Sequence, residues 1–205
     1  MKIGILGTGG MAAALGGAWT TAGHDVLIGG RDPRKAKLTA ESVGAAGHGS
    51  LDDAARHGDA VLLAVPATVA PQLAGGLAGR TVIDCTNAIS PTGDGLMLDP
   101  GSGARQLAAA APGAHVVKAF NLCHVSIWTL RPPMFENVPL TVPYCTDHPA
   151  AAAVIETLIS SIGCVPAACG GLARAGYLEA TAALAIGMWW SGGQPRAAFP
   201  SPAEV

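Results

Sequence analysis

The stretch Gly7-Thr8-Gly9-Gly10-Met11-Ala12 constrains this chain more than any other. It fits the pattern G-x-G-x-x-A, and its surroundings give that pattern meaning. Lys2-Ile3-Gly4-Ile5-Leu6 before it reads as a short buried strand. After it, apolar or small residues recur at Met11, Ala14, Leu15, Ala18, Trp19 and Ala22, the spacing of one helix face. Gly23 supplies a left-handed helix stop, and Val26-Leu27-Ile28 reads as a second strand. Strand, glycine turn, helix and strand in this order form a βαβ unit whose first turn takes a dinucleotide diphosphate. Gly7 permits the sharp turn, Gly9 removes a side chain where the diphosphate must approach, and Ala12 lets the helix close on the strand. Gly10 and Met11 open the helix, whose free N–H groups and partial positive charge favour the anion.

The end of the second strand indicates which dinucleotide. A site for NAD places Asp or Glu there, about 20 residues past the glycines, on the ribose 2′-hydroxyl. This chain has Gly29-Gly30-Arg31 instead. A guanidinium offers a fixed fork of donors suited to a phosphate, so NADP(H) is the expected cofactor. Lys35 and Arg34 add charge one helix turn on, and Thr8 adds a hydroxyl. Asp32, one residue late for the ribose, reads as a helix N-cap with Pro33 at the first helical position.

At 205 residues the chain suits one doubly wound domain with some extra structure. Half of it is hydrophobic but only 4% aromatic, so the core must be built from small side chains and closely packed helices. A net charge of −2 gives no sign of a nucleic-acid surface. The first strand begins at residue 2, leaving no room for a signal peptide. The apolar run Ala180–Trp190 is too short to span a bilayer. No membrane contact and a cytoplasmic location are therefore expected. The five cysteines form no C-x-x-C pair and read as reduced thiols, and the six histidines fall in no metal-binding spacing, so no metal is expected.

Further along, Pro33–Val43 reads as a helix, Gly47-His48-Gly49 as a loop, and Ser50 to Asp53 as a capping box. Ala60–Val65 is a continuous apolar run, as in a parallel strand covered on both faces. A helix over Val69–Ala78 and a strand over Thr81–Cys85 follow. Thr86 to Gly103 reads as a long loop and Ala104–Ala111 as a helix. Strands are expected at His115–Phe120, Leu140–Tyr144 and Cys164–Ala168. Asp147-His148-Pro149 should cap a helix running to Ile162, and Gly171–Trp190 should be a terminal helix. The fold class is thus α/β, a doubly wound, mostly parallel sheet of the NAD(P)-binding Rossmann type with a short C-terminal strand and helix extension. Residues 1–125 would bind NADP, 126–193 would form the extension on the same domain, and 194–205 a loose tail.

Ligands on such sheets collect outside the carboxyl ends of the strands. Val65-Pro66 would flank the path toward the nicotinamide, and Asn87 and Asn121 the substrate side. Neither tyrosine, Tyr144 nor Tyr177, has a lysine four residues later, which removes a tyrosine–lysine dyad. Lys118 reads as a snorkelling structural lysine. His124, just past a strand end, is the best candidate proton donor, with Cys123 beside it.

The glycine loop, Ile28-Gly29-Gly30-Arg31-Asp32-Pro33, Ala64-Val65-Pro66, Val82-Ile83-Asp84-Cys85-Thr86-Asn87, Val117-Lys118-Ala119-Phe120-Asn121 and Tyr177-Leu178-Glu179-Ala180 together resemble the NADPH-dependent F420 reductases (F420H2:NADP+ oxidoreductases). That resemblance implies a Rossmann domain, a homodimer, and hydride passing between the nicotinamide and a deazaflavin acceptor, coenzyme F420. It places Thr8 and Arg31 on the 2′-phosphate. Relatives commonly have Ser where this chain has Gly30, and often Thr and an aliphatic residue where it has Leu122-Cys123-His124. The second departure keeps open an NADPH-dependent reductase of a small carbonyl or imine, with His124 or Cys123 on the proton path. A non-catalytic NADP(H)-binding sensor is the further alternative.

Overall fold

The structure is a computed structural model that describes residues 1–92, 95–98 and 101–198. It opens with β1 (Lys2–Leu6), α1 (Gly10–Thr21) and β2 (Asp25–Gly29), the βαβ unit the glycine pattern predicts. Then come α2 (Pro33–Val43), β3 (Gly47–Gly49), α3 (Leu51–His57), β4 (Ala60–Leu63) and β5 (Thr81–Asp84). A hairpin of β6 (Ile89–Thr92) and β7 (Gly95–Leu98) precedes α4 (Gly103–Ala110) and β8 (His115–Lys118). A second hairpin, β9 (Met134–Phe135) and β10 (Val138–Pro139), leads to β11 (Thr141–Thr146), α5 (Pro149–Ser161), β12 (Val165–Ala168) and α6 (Ala175–Trp190).

Eight strands form one sheet in the order β12-β11-β8-β5-β4-β1-β2-β3. All pairings are parallel except β11 on β8, which is antiparallel, so β11 and β12 run against the other six. The doubly wound α/β class holds, and the chain reverses its direction of winding at β1, between β4 and β2. Successive side chains on each strand point to opposite faces, and the core divides accordingly. Ile3, Ile5, Leu62, Ile83 and Val117 pack with Leu15 and Trp19 of α1 and with Ile155, Leu158 and Ile159 of α5. Leu6, Val61, Leu63, Val82 and Val116 pack with Ala54, Leu77, Leu107 and Leu178 on the other face. Small residues let helices close in. A Cβ at Gly4 would lie 1.8 Å from the Ala54 carbonyl oxygen, so α3 rests directly on β1.

Local signals held where the chemistry is local. Asp32 caps α2 by accepting from the backbone N–H groups of Arg34 and Lys35, and Ser50 with Asp53 forms the capping box of α3. Other expectations need correction. Between Val69 and Ala78 there is a single 3-10 turn, Ala70–Leu73, because the Gly75-Gly76 pair (Gly76 at φ 82°) stops propagation, Pro71 lying in the first turn where it is tolerated. Gly47-His48-Gly49 is a strand, paired to Leu27-Ile28-Gly29; tertiary pairing overrides the poor strand propensity of glycine. The stretch read as one loop from Thr86 to Gly103 contains the β6–β7 hairpin, while residues 93, 94, 99 and 100 lie outside the described residues. Ala22, expected on the buried face of α1, is its exposed C-cap. Asp147 does not cap α5; His148 is the N-cap residue, and the Asp147 carboxylate accepts from the Leu172 N–H at 2.9 Å. Of the tail expected over 194–205, Pro195–Ala198 form one 3-10 turn, and 199–205 lie outside the described residues.

Candidate functional site

The carboxyl ends of β1, β2 and β4 enclose a cleft of about 680 Å³. The structure brings Gly7, Thr8, Gly9, Gly30, Arg31, Lys35, Val65 and Pro66 together on its walls, with Asp32, Leu51, Ala64, Val69, Gln72 and Leu73 completing them. Gly7 stands at φ 133°, and a Cβ there would meet the Ala64 carbonyl oxygen at 2.1 Å; glycine is demanded by both backbone and neighbour. Gly9 differs, since a Cβ built on it would meet nothing within 4 Å. It is the N-cap of α1, and no side chain caps that helix. The first N–H groups of this 12-residue helix thus have no side-chain cap, and Gly9 at the cleft wall puts no side chain in the way of an anion that would take them. At the other end Arg31 and Lys35 are exposed, and neither has an ion-pair partner among the described residues. A side chain at Gly30 would lie 2.7 Å from the Thr8 methyl carbon, so Thr8 fills the space a serine there would need.

Three members of the glycine loop stand apart from this cleft. Ala12 is fully buried, as its packing role requires, and Met11 is half-buried against the core. Gly10 borders a separate groove beside Val125 and Arg131.

Asn87 and Asn121 meet each other past the ends of β5 and β8. The Asn87 amide donates to the Asn121 carbonyl oxygen at 2.9 Å, and the Asn121 amide donates to Asn87 Oδ1 at 2.9 Å and to the Leu178 carbonyl oxygen at 3.0 Å. Phe120, just before Asn121, holds a left-handed backbone (φ 63°) that a bulky residue seldom adopts. Its ring is clamped edge-on by Trp19 at 5.7 Å and Trp128 at 5.2 Å.

Cys123 and His124 line a second cleft of about 570 Å³ with a mainly apolar wall that includes Ile127, Leu140 and Trp189. His124 caps the 3-10 helix Val125–Thr129: its Nδ1 accepts from the Ser126 N–H at 3.3 Å and lies 2.9 Å from Ser126 Oγ. Accepting there assigns the hydrogen of a neutral imidazole to Nε2, the ring nitrogen left as a donor. Burial pushes the Cys123 thiol up to about 11, so it is a protonated, inert thiol at neutral pH.

Lys118 does not snorkel. It is fully buried, 3.0 Å from Asp84 Oδ2 and 3.0 Å from Glu179 Oε1, and it donates to the Thr86 carbonyl oxygen. Burial pulls its pKa down, but the two carboxylates outweigh that and hold it above the ordinary lysine value. Sequence reasoning missed this triad. The signal was present: Glu179 is the one charged residue in the 16-residue apolar α6.

Residues 2–88 match the family described as NADP oxidoreductase, coenzyme F420-dependent. Over that span, which is less than half of its length, the chain is similar to this family. The match takes in the glycine loop, Arg31, Val65-Pro66 and Asn87. The structure also resembles a protein of Arthrobacter sp. FB24 proposed to be an F420-dependent NADP-reductase, at 26% identity and a TM-score of 0.83, covering 94% of this chain and 96% of that one. It resembles hypothetical protein SMa0349 of Sinorhizobium meliloti at 27% identity and a TM-score of 0.75, covering 86% and 87%. A curated relative, metalloreductase STEAP3 of Rattus norvegicus, is 28% identical over 192 residues. The alignment covers 92% of this chain but only 38% of that protein's length. Among the described residues no helix is long and apolar enough to cross a membrane.

Proposed function

We propose that this protein is an NADP(H)-dependent oxidoreductase that passes hydride between the nicotinamide and coenzyme F420. The observation that carries the reading is the uncapped start of α1, open at Gly9, with the unpaired cations of Arg31 and Lys35 at the far end of the same cleft. A diphosphate fits the first and a ribose 2′-phosphate the second. Thr8, Gly30, Arg31 and Lys35 would hold the 2′-phosphate, the glycine loop the diphosphate, and Val65-Pro66 the approach to the nicotinamide. Bound NADPH supplies the hydride. Asn87 and Asn121, locked to each other, hold the two strand-end loops beside the acceptor side, and the apolar second cleft keeps water from it. Hydride transfer between two stacked rings needs orientation more than acid–base groups, which agrees with the lack of a dyad.

The family description and the Arthrobacter relative support F420 as acceptor. A small carbonyl or imine is the second reading, and the free Nε2–H of His124 at an apolar cleft favours it, because such a substrate needs a proton with the hydride. Five unpaired cysteines suit a reducing cytoplasm. Tyr177 and Leu184, seven residues apart on α6, are exposed apolar side chains on one side of that helix, which suits a homodimer.

Calorimetry with NADPH and NADH, followed by mixing with oxidised F420, tests the proposal. NADPH should bind at least 10-fold more tightly, and the deazaflavin absorbance should fall. Tight NADPH binding without bleaching transfers the weight to the carbonyl or imine reading; tight binding with no acceptor reduced leaves a sensor. No heat with either NADP(H) form refutes all three.

A further inference from the structure

The helix α6 carries two tasks at its two ends. Thr181, Ala185 and Trp189 wall the second cleft, while Glu179 and Leu178 attach the helix to the strand ends. The attachment at Glu179 is unusually complete. Oε1 pairs with Lys118 Nζ at 3.0 Å and accepts from Ser102 Oγ at 3.1 Å and the Ala104 N–H at 3.2 Å; Oε2 accepts from the Gly103 N–H at 3.1 Å. One carboxylate, 1% exposed, thus joins α6 to the last residue of β8 and to the first turn of α4. Through Lys118 it also reaches Asp84, the last residue of β5, and the Thr86 carbonyl oxygen.

Apart from the Asn121 amide's bond to the Leu178 carbonyl oxygen, the buried face of α6 is made of the apolar side chains of Ala175, Leu178, Ala182 and Ala183. Such contacts are non-directional, and a face of small side chains offers few knobs to fix a helix along its axis or about it. Charge-assisted hydrogen bonds with set geometry do both. Thr181, Ala185 and Trp189 lie two, six and ten residues beyond Glu179 on the same rigid helix, so whatever fixes Glu179 fixes the cleft wall.

We propose that Glu179 is a positioning residue for the acceptor, acting through Lys118 and the start of α4 to set where α6 stands and hence the width of the second cleft. The proposal rests on reading that cleft as the acceptor side. The nucleotide cleft is walled by other elements and is unaffected by this contact.

The test compares the wild type, Glu179→Gln, Glu179→Asp and a control, Leu77→Ala, which removes a fully buried side chain that lines neither cleft. NADPH affinity by calorimetry should stay within about 2-fold of the wild type in all four. With F420 as acceptor, KM should rise at least 10-fold in Glu179→Gln and at least 3-fold in Glu179→Asp, while kcat changes less. Leu77→Ala should lower the melting temperature and leave KM alone. Hydrogen exchange without acceptor is the second arm: amides of 181–190 should exchange at least 10-fold faster in Glu179→Gln, with those of α1 unchanged. An unchanged KM in a destabilised Glu179→Gln overturns the proposal, as does unchanged exchange over 181–190. Wild-type failure to reduce F420 counts against the proposed function, and the exchange arm then decides the role of Glu179 by itself. Should Glu179→Gln fail to fold, the same two readouts on Glu179→Asp decide it.

Discussion

Replacing Lys118 by Met tests the buried triad as an energetic unit. The ammonium is fully buried and its carboxylate partners are each 1% exposed. Methionine has a similar length, so little cavity is left, but Asp84 and Glu179 then face each other across an apolar gap without a cation. Breaking a buried pair in this way costs about 3–5 kcal/mol, because the remaining charge is desolvated and unpaired. For a domain of this size each kcal/mol shifts Tm by about 2–4 °C, so the variant should melt about 6–20 °C lower by calorimetry. Removing Glu179's charge as well should return part of the loss, giving strongly non-additive energies in a double-mutant cycle. The pH dependence has a defined sign. The folded pKa of Lys118 lies above the ordinary 10.5, so its contribution is fully present below that value and is lost as pH rises through the folded pKa. Wild-type stability should therefore fall on that alkaline side with a slope absent from Lys118→Met. A loss below about 1 kcal/mol, or additive losses with Glu179→Gln, would refute the reasoning.

Four further outcomes are expected. Arg31→Ala should weaken NADPH roughly 10- to 100-fold and leave NADH nearly unchanged, by calorimetry; equal losses would remove the 2′-phosphate assignment. Gly9→Asp adds a side chain to open space, so stability should hold within about 1 kcal/mol by thermal melting, while its charge abolishes NADPH binding. Gly30→Ser should be destabilised by its collision with the Thr8 methyl group, by about 1 kcal/mol. Combining it with Thr8→Ser should restore stability and tighten NADPH. His124→Ala should leave F420 reduction intact and depress carbonyl or imine reduction by about 10²-fold, measured as initial rates.

What the sequence made legible were features settled by neighbours within a few positions. Gly9, the Asp32 cap and the Ser50–Asp53 box depend on backbone groups no more than four residues away or on the turn itself, and the turn alone asks for glycine at Gly7 even though Ala64 asks for it again. Distant partners decided the rest. Gly47–Gly49 becomes a strand only because β2 offers an edge, and Lys118 reads as a snorkelling lysine until β5 and α6 bring carboxylates to it. The left-handed turn at Phe120 depends on tryptophans 101 residues before and 8 after it in the chain, and no local pattern announces it. The same limit applied to the second cleft, whose walls come from residues between Leu122 and Arg196 that meet only after β11 has joined the sheet.

The reversed direction of β11 separates two kinds of evolutionary change. Because it runs against β8, its beginning, not its end, reaches the ligand-bearing rim, carrying the β9–β10 hairpin with it. Insertions in that hairpin would enlarge or recontour the acceptor side without passing through any strand that bears the glycine loop or Arg31. New acceptors are thus open to exploration by loop growth at residues 134–139, while the inherited nucleotide grip stays as it was.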